Sequence, residues 1–411
     1  MRPFARTILC HVLLVSCESG GEQSHFAATP AIVGDAPSRG AVDTPASNRA
    51  SSAHLVWEYR SGLPGPDSIA DIAVSDSGNL YAAGWRSAGG SWDRWIAQLS
   101  PADGTVMWSK TQDSREVDHA FDIELGGSKL FVAGSNRTSF NDYEGWAGRF
   151  DASGNVEWQI TFESGFGPDY ATGVSPTRDG GVIVVGVVSR EDGTCATSVR
   201  AYDAAGRSTW TFEEPVHAPP RFPFGPRLAA GAEAGFLVLG HDTALEGGRH
   251  REQLRKLAVD TGQVQWGWSA PDPGGSIHGV TLGANGEIAV TGSGGPGAFM
   301  VRRFDPSGAP LWASSECMGA VGRAAAIDGQ GDVFVIGELQ QAELTEIVLC
   351  KFTSEGQLQW SSSVGGQAGQ NSGKVVKILP NGLVLAAGDV WSGGDMWSGG
   401  SRDAWAAVYK P

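Results

Sequence analysis

The sequence has few lysines, no run of basic residues, and no long stretch of helical apolar spacing after residue 51. Its formal net charge is −15 at pH 7. Because nucleic-acid binding depends on clustered Lys and Arg, we expect no nucleic-acid partner. We find no GxSxG, HExxH or P-loop motif, so none of these catalytic signatures is present.

Cysteine is also scarce, with 5 residues among 411. Cys10 and Cys17 lie in an N-terminal segment of distinct composition, which leaves Cys195, Cys317 and Cys350. Their spacing matches neither a CxxC motif nor a zinc site. We predict that Cys317 and Cys350 lie near opposite ends of the fold and do not form a disulfide.

Glycine and tryptophan, by contrast, are abundant, at 59 and 15 residues. The glycine share is about twice the usual value of roughly 7%. Glycine-punctuated turns between short aromatic and β-branched runs favour an all-β fold over a helical one.

Two sequence elements recur with a period of roughly 50 residues. One is glycine, three residues, tryptophan, and six copies follow this period. Its tryptophans are Trp108, Trp158, Trp210, Trp266, Trp312 and Trp360. The other is an apolar run that ends in glycine, and it occurs seven times. Its glycines are Gly84, Gly134, Gly186, Gly240, Gly292, Gly337 and Gly388. Four short strands per period, joined by tight turns, are typical of a β-propeller blade, in which the repeated Trp fills the gap between blades.

The difference between six and seven predicts how the ring closes. The last copy, 403–411, ends where its fourth strand should begin, and residues 53–62 carry Trp57, 51 residues before Trp108. Pairing this N-terminal strand into the last blade would close the ring and remove exposed sheet edges. We therefore predict an all-β seven-bladed propeller with four-stranded antiparallel blades. The predicted blades span about 68–113, 118–163, 169–213, 224–270, 276–316, 321–365 and 372–410, the last completed by 53–60.

A family resemblance supports this count. The segments SIADIAVSDSGNLYAAG, DRWIAQLSPADGTVMWS and EGWAGRFDASGNVEWQ resemble the bacterial seven-bladed propeller repeats of secreted and surface proteins. The resemblance covers about Ala53 to Pro411 and implies a fold and an exported setting, without common catalytic residues. Residues 257–268, LAVDTGQVQWGW, resemble instead the tryptophan-docking motif of pyrroloquinoline-quinone propellers. A quinone-linked assembly scaffold would need an eighth blade or a bound cofactor.

The N-terminal segment is typical of a signal peptide. Arg2 and Arg6 precede a short apolar run that is too short to span a bilayer. The run ends in Leu-Val-Ser-Cys17, which resembles the lipobox of bacterial lipoproteins. The resemblance implies removal of 1–16 and acylation of Cys17; the alternative is an ordinary signal peptide with an incidental cysteine.

Residues 17–52 are rich in Ser, Ala, Gly and Pro, which is typical of a disordered tether. We therefore expect an exported, monomeric protein that is lipid-anchored to a bacterial membrane. Its propeller domain would occupy 53–411.

The predicted binding face lies at one end of the propeller, where long and varied loops surround the channel mouth. Several aromatic residues in these loops have no evident core role: Trp85, Trp92, Tyr143, Trp391 and Trp397. The proline-rich connection 217–226 would cover the channel or present Arg221 and Phe222 to a partner, or would be a plain loop. The aromatic residues would form a platform for a sugar ring or a partner protein, or would pin glycine-rich loops to the blade edges.

Metal and histidine sites are weaker candidates. Asp67, Asp118 and Asp169 each precede the innermost strand of a blade and would either hold Ca²⁺ at the channel mouth or cap turns. We expect no other cofactor. His241 and His250 are interpreted as surface residues that share one loop.

The sequence therefore predicts a membrane-tethered, non-catalytic binding or scaffold module for a protein or a glycan. The alternative is a carbohydrate-active hydrolase or lyase with carboxylates at the channel mouth. A close pair of carboxylates with one raised pKa in the central funnel would favour the enzyme. An aromatic patch at the rim of a filled funnel would favour the binding module.

Overall fold

The computed structural model describes residues 53–62, 66–88, 91–112, 116–139, 142–216, 227–231, 235–245, 249–294, 299–317, 321–341, 344–391 and 402–411. In this part of the chain 28 strands form seven four-stranded antiparallel sheets. No helix among the described residues is long and apolar enough to cross a membrane.

The strands follow one another blade by blade. The chain begins with β1 (His54–Arg60). Blade one contains β2 (Asp67–Val74), β3 (Leu80–Ala88), β4 (Ser91–Leu99) and β5 (Val106–Gln112). Blade two contains β6 (Asp118–Gly126), β7 (Lys129–Ser139), β8 (Asp142–Phe150) and β9 (Val156–Phe162). Blade three contains β10 (Tyr170–Pro176), β11 (Val182–Ser189), β12 (Cys195–Tyr202) and β13 (Ser208–Pro215). Blade four contains β14 (Arg227–Gly231), β15 (Phe236–Ala244), β16 (His250–Ala258) and β17 (Val264–Ser269).

The remaining blades repeat this order. Blade five contains β18 (Ser276–Leu282), β19 (Ile288–Ser293), β20 (Phe299–Phe304) and β21 (Pro310–Ser314). Blade six contains β22 (Val321–Ile327), β23 (Val333–Gln341), β24 (Leu344–Phe352) and β25 (Leu358–Gly369). Blade seven contains β26 (Ser372–Ile378), β27 (Val384–Trp391), β28 (Arg402–Lys410) and the N-terminal β1.

Blade seven is built from both ends of the chain. Its strand order is β1-β28-β27-β26, and β1 pairs antiparallel with β28 from His54 opposite Lys410 to Arg60 opposite Trp405. The innermost strand of blade one, β2, contacts β26, β27 and β28. The predicted seven-bladed propeller, closed by the N-terminal strand, is therefore confirmed.

The repeated tryptophan packs on a glycine turn of the next blade. Trp57 of blade seven covers Gly104 of blade one, where an added Cβ would lie 2.5 Å from the indole ring. Gly104 also has a φ of 74°, which residues with side chains rarely adopt. The indole Nε1 of Trp57 donates to the carbonyl oxygen of Pro101, 3.1 Å away, in the same turn. The indole ring packs on a glycine of the next blade in five further pairs: Trp108 with Gly154, Trp158 with Gly206, Trp210 with Gly262, Trp266 with Gly308, and Trp312 with Gly356.

Trp360, in blade six, faces blade seven, the one blade that is built from both ends of the chain. In blade seven the third strand β28 and the fourth strand β1 come from opposite ends of the chain, so no turn joins them. Trp360 instead packs beside Tyr409 and Ala53, and only 7% of it is exposed. This accounts for seven tryptophans with six glycine partners.

The second repeated glycine, at the end of the apolar run, is required by a bulge in the innermost strand. A Cβ added to Gly84 would lie 1.9 Å from the carbonyl oxygen of Ser68, and the strand pairing shifts beside it between Ile69 and Asp71. The same close approach to a carbonyl oxygen of the innermost strand occurs at Gly134, Gly186, Gly292, Gly337 and Gly388. In six blades, therefore, glycine lets the second strand lie against a bulged first strand.

The prediction for the cysteines was wrong. Cys317 and Cys350 form a disulfide, with their Cα atoms 6.1 Å apart. The strand β21 has only 5 residues, so the chain turns early into the gap between blades five and six. Cys317 there packs in one apolar cluster with Phe299 and Val348. Cys195 is free and buried.

We expect the Trp57→Ala variant to lose about 3–5 kcal/mol of unfolding free energy, because it empties the contact that closes the ring. The control is Trp92→Ala, since Trp92 is 41% exposed and its loss should cost less than about 1 kcal/mol. Guanidinium denaturation of both variants measures the difference. Equal losses would contradict the role of Trp57 in closure.

We expect the disulfide to contribute roughly 3–4 kcal/mol, because it constrains a long loop in the unfolded chain; its cysteines are 33 residues apart. Reductant should therefore lower the denaturation midpoint of the wild type and of Cys195→Ser alike. It should leave the double variant Cys317→Ser/Cys350→Ser unchanged. A wild-type midpoint that does not respond to reductant would rule out this contribution.

Candidate functional site

The bulges of the innermost strands place a distinctive set of side chains at the mouth of the central channel. A bulge inserts one residue and re-aims its side chain. In blades five, six and seven the bulge residue is basic: His278, Arg323 and Lys374, here called the basic arc. In blades one to three it is Ala70, Phe121 or Thr172.

The basic arc links neighbouring blades. His278 Nδ1 lies 3.2 Å from the carbonyl oxygen of Gly322 in blade six and 3.4 Å from Arg323 Nη1. Arg323 Nη2 donates to Glu338 Oε2 at 2.6 Å. Glu338 also accepts from Ser372 Oγ in blade seven. Polar contacts thus run from blade five to blade seven around the mouth, and the charged ones are those of Glu338.

Lys374 extends these contacts to blade one. Its Nζ forms an ion pair with Asp389 and lies 2.6 Å from Ser68 Oγ. It also lies 4.5 Å from the centre of the Trp85 ring, in reach of a cation–π contact. Arg402 Nη1 is 3.3 Å from the second oxygen of Asp389. The Asp389 side chain is 2% exposed and that of Arg402 is 42% exposed, so one buried carboxylate holds two cations.

Four rings pack together beside Lys374 and form what we call the aromatic cluster: Trp85, Trp92, His119 and Phe121. His119 lies at the centre, with its ring 5.1 Å from Trp85, 5.7 Å from Trp92 and 5.5 Å from Phe121. Burial lowers the pKa of His119 to about 3, aided by the charges of Arg94 and Lys374. The imidazole is therefore neutral at pH 7. Trp92 remains 41% exposed, so the cluster presents apolar surface next to the basic arc.

The candidate aromatic residues lie in strands rather than in loops. Trp85 and Trp92 belong to β3 and β4, which stay paired out to Ala88 opposite Ser91. This hairpin is longer and tighter than the expected loop, and Trp85 is held between His119 and Lys374. The interpretation of Trp85 and Trp92 as loop residues was wrong.

Tyr143 and Trp391 lie elsewhere around the same face, also within strands. Tyr143 is in β8, and its ring centre is 5.4 Å from that of Tyr170. Trp391 ends β27, and its backbone N–H donates to Asn371 Oδ1 at 2.7 Å. Trp397, Arg221, Phe222 and Cys17 lie outside the described residues.

The three candidate Ca²⁺ ligands, Asp67, Asp118 and Asp169, start or precede innermost strands and are buried. Asp67 Oδ1 accepts from the backbone N–H of Ser87 at 3.2 Å, and Asp169 Oδ1 accepts from that of Ser189 at 2.7 Å. Both therefore cap the hairpin of their own blade, and Asn371 makes the same bond in blade seven. Within the described chain, the metal-type cluster with ligand atoms within 4.8 Å is a different one, formed by Asp71, Asp122 and Glu124.

These three residues, the channel carboxylates, lie on β2 and β6 and share a lysine from blade seven. Lys377 Nζ lies 3.6 Å from Asp71 Oδ1 and 3.4 Å from Glu124 Oε1. Burial raises the pKa of Asp122 well above its usual value, and Asp71 beside it adds to the rise. Burial also raises the pKa of Glu124. The pKa of Lys377 is raised because the carboxylates outweigh the opposing effect of burial.

The channel carboxylates also join blades. Asp71 Oδ2 accepts from the backbone N–H of Ile123 in blade two at 3.4 Å. Asp122 Oδ2 accepts from that of Val174 in blade three at 2.6 Å. The aspartate that follows the bulge thus accepts a backbone hydrogen bond from the next blade in both blade one and blade two. Sequence reasoning missed this group, although Asp71 and Asp122 occupy the same position in their repeats.

Blade four differs from the sequence interpretation as well. His241 and His250 lie in β15 and β16, and His241 is only 3% exposed. Its Nε2 is 3.3 Å from Glu214 Oε2, and Arg255 lies 2.6 Å from the other oxygen. The contacts with His241 and Arg255 outweigh burial and lower the pKa of Glu214 to about 2. His241 is buried beside Glu214, so its assignment to the surface was wrong.

Comparisons with known proteins support the architecture. No protein-family model and no curated protein sequence matches the chain. Virginiamycin B lyase from Staphylococcus aureus is 11% identical with a TM-score of 0.51, over 86% of this chain and 98% of that one. Hydrazine synthase from Kuenenia stuttgartiensis is 13% identical with a TM-score of 0.49, over 80% and 94%. Sqt1 from Chaetomium thermophilum is 10% identical with a TM-score of 0.48, over 88% and 99%. At these identities the likeness is one of fold alone.

We expect Asp122→Asn to flatten the loss of stability with rising pH. A carboxyl whose folded pKa is raised retains a proton that the unfolded chain releases, so stability falls as pH rises from about 4 through the folded pKa. Asp169 and Asp242, with pKa values raised by burial to about 6 and about 7, add to this slope. The asparagine resembles the protonated carboxyl and should gain on the order of 1–3 kcal/mol over wild type by pH 8.

Denaturation midpoints of the variant from pH 4 to pH 8 measure this difference. The control is Asp260→Asn on an exposed turn, which should follow the wild-type curve. A difference between Asp122→Asn and wild type that does not grow with pH would contradict the raised pKa.

Proposed function

We propose that the protein is a non-catalytic binding module that engages a protein partner through the channel mouth. The observation that carries this proposal is the aromatic cluster, in which a partly exposed Trp92 rests on the buried, neutral His119. Binding energy at protein interfaces concentrates in aromatic and arginine side chains that are packed among neighbouring residues. Here the blade hairpins supply those neighbouring residues.

The proposal includes export and attachment to a membrane through lipid on Cys17. The apolar run followed by Leu-Val-Ser-Cys17 supports it. The Cys317–Cys350 disulfide supports export independently, because disulfides persist in oxidising compartments and are rare in reducing ones. On this view, the tether 17–52 presents the propeller to partners near a membrane surface.

One observation favours a carbohydrate-active hydrolase or lyase as the second candidate. The raised pKa of Asp122 beside Asp71 is the arrangement expected of an acid–base pair. However, Asp71 and Asp122 each bind a backbone N–H of the next blade, and Lys377 already balances charge in the group. These contacts explain the carboxylates as links between blades, so the binding module is favoured.

We expect Trp92→Ala to abolish capture of the partner while the protein stays folded. Full-length wild type, Trp92→Ala and Met107→Ala would be used as bait in cell-envelope extracts, with bound proteins quantified by mass spectrometry and glycans tested on an array. Met107 is the matched control, since it is 61% exposed on an outer strand of the same blade.

A protein captured by wild type and by Met107→Ala, but lost with Trp92→Ala, is the expected result. If the Trp92 variant captures the same proteins as wild type, the channel mouth is not the interface. Glycan binding that depends on Trp92, without a protein partner, would replace the protein by a sugar ligand.

A further inference from the structure

Building on the proposed function, we propose that the channel mouth recognises an acidic segment of the partner, with carboxylates on the basic arc and an apolar side chain on the aromatic cluster. Three adjacent blades contribute one basic group each, at the same bulge position. An extended peptide can place successive acidic side chains along such a row.

The charges at the mouth favour an anion. Arg323, Lys374 and Arg402 carry three positive charges, and the carboxylates paired with them are Glu338 and Asp389. One positive charge therefore remains in excess within this group. The whole chain carries −15, so this local excess runs against the overall charge. Within this group, the Arg402 side chain is 42% exposed and lies within reach of a ligand.

A positive field also reaches the aromatic cluster. The charges of Arg94 and Lys374 both disfavour a proton on His119. Arg94 is 3% exposed and lies 3.4 Å from the centre of the Trp146 ring, and the Asp118 carboxylate offsets part of its charge. The end of the aromatic cluster next to Lys374 would therefore attract a carboxylate and repel a cationic side chain.

The surroundings of Trp92 favour a peptide over a sugar. A sugar ring stacked on tryptophan needs polar groups at its rim for its hydroxyls. The rings that border Trp92 are His119, with Trp85 and Phe121 packed on the other sides of that imidazole. These rings suit an apolar side chain, and the Asp93 carboxylate next to Trp92 is buried and accepts from Ser91 Oγ.

Titration calorimetry with full-length protein tests the proposal. The probes are a synthetic decapeptide of alternating Glu and Phe, its Gln analogue, its Lys analogue, and an oligogalacturonate as an acidic sugar. The variants are Trp92→Ala, Arg402→Gln and the control Arg207→Gln, whose side chain is 80% exposed on a turn of blade three. Arg402→Gln leaves Lys374 paired with Asp389, so the fold is retained.

We expect the Glu peptide alone to bind, more weakly at higher salt. Arg402→Gln should weaken it about two- to fivefold, Trp92→Ala by more than about tenfold, and Arg207→Gln not at all. Equal binding of the Glu and Gln peptides, equal effects of the two arginine variants, or binding of the oligogalacturonate in place of the peptide would each overturn the proposal.

The same variants separate this proposal from the proposed function. Arg402→Gln should reduce capture of the cellular partner while Arg207→Gln does not. Capture that is lost with Trp92→Ala but unchanged with Arg402→Gln would refute the acidic segment and leave the binding module standing. Capture unchanged by both variants would refute both.

Discussion

The contact between a tryptophan and the glycine turn of the next blade is the interaction on which the whole ring depends. Each blade has two broad faces to cover, and an indole ring lying on a turn without a side chain covers the outer part of the gap. The contact between Trp57 and Gly104 holds the N-terminal strand β1, which completes blade seven, against blade one. In blade seven no connecting turn joins the third strand β28 to the fourth strand β1, so the β1–β28 pairing closes the ring without covalent help.

A second constraint fixes the position at which the side chain can differ from blade to blade. The glycine of the second strand, such as Gly84, admits a carbonyl oxygen of the innermost strand where a Cβ would clash. That approach accompanies the bulge, and the bulge residue projects at the channel mouth. The backbone arrangement is repeated while the bulge side chain differs from blade to blade, from Ala70 to Lys374. The fold therefore supplies a ring of equivalent positions whose side chains can be chosen for binding.

Much of the fold could be predicted from the sequence, because both repeated elements are local. The pattern of glycine, three residues and tryptophan lies within one turn and strand, so it is visible in a window of five residues. The count of six against seven then specified the closure by Trp57. Pairings between blades leave no such local mark. The Cys317–Cys350 disulfide depends on the early end of β21, and the buried His241 depends on Glu214 from the previous blade.

The candidate site was predicted only in part, for the same reason. Trp92 was identified because it had no evident role in the core, but the ring on which it packs, His119, lies in the next blade. Lys377 meets Glu124 from 253 residues away, so no spacing could reveal that the channel carboxylates share a lysine. Features confined to one blade, such as Asp67, could be recognised in the sequence, and the structure shows that this residue caps its own hairpin.

The position of the site relative to the closure links binding to stability. The noncovalent junction lies in blade seven, between β28 and β1, and blades seven, one and two contribute Lys374, Trp92 and His119 to the channel mouth. A partner that contacts Lys374 and Trp92 together spans the junction between blades seven and one. Such a ligand binds the closed ring and not the opened one, so it stabilises closure by mass action.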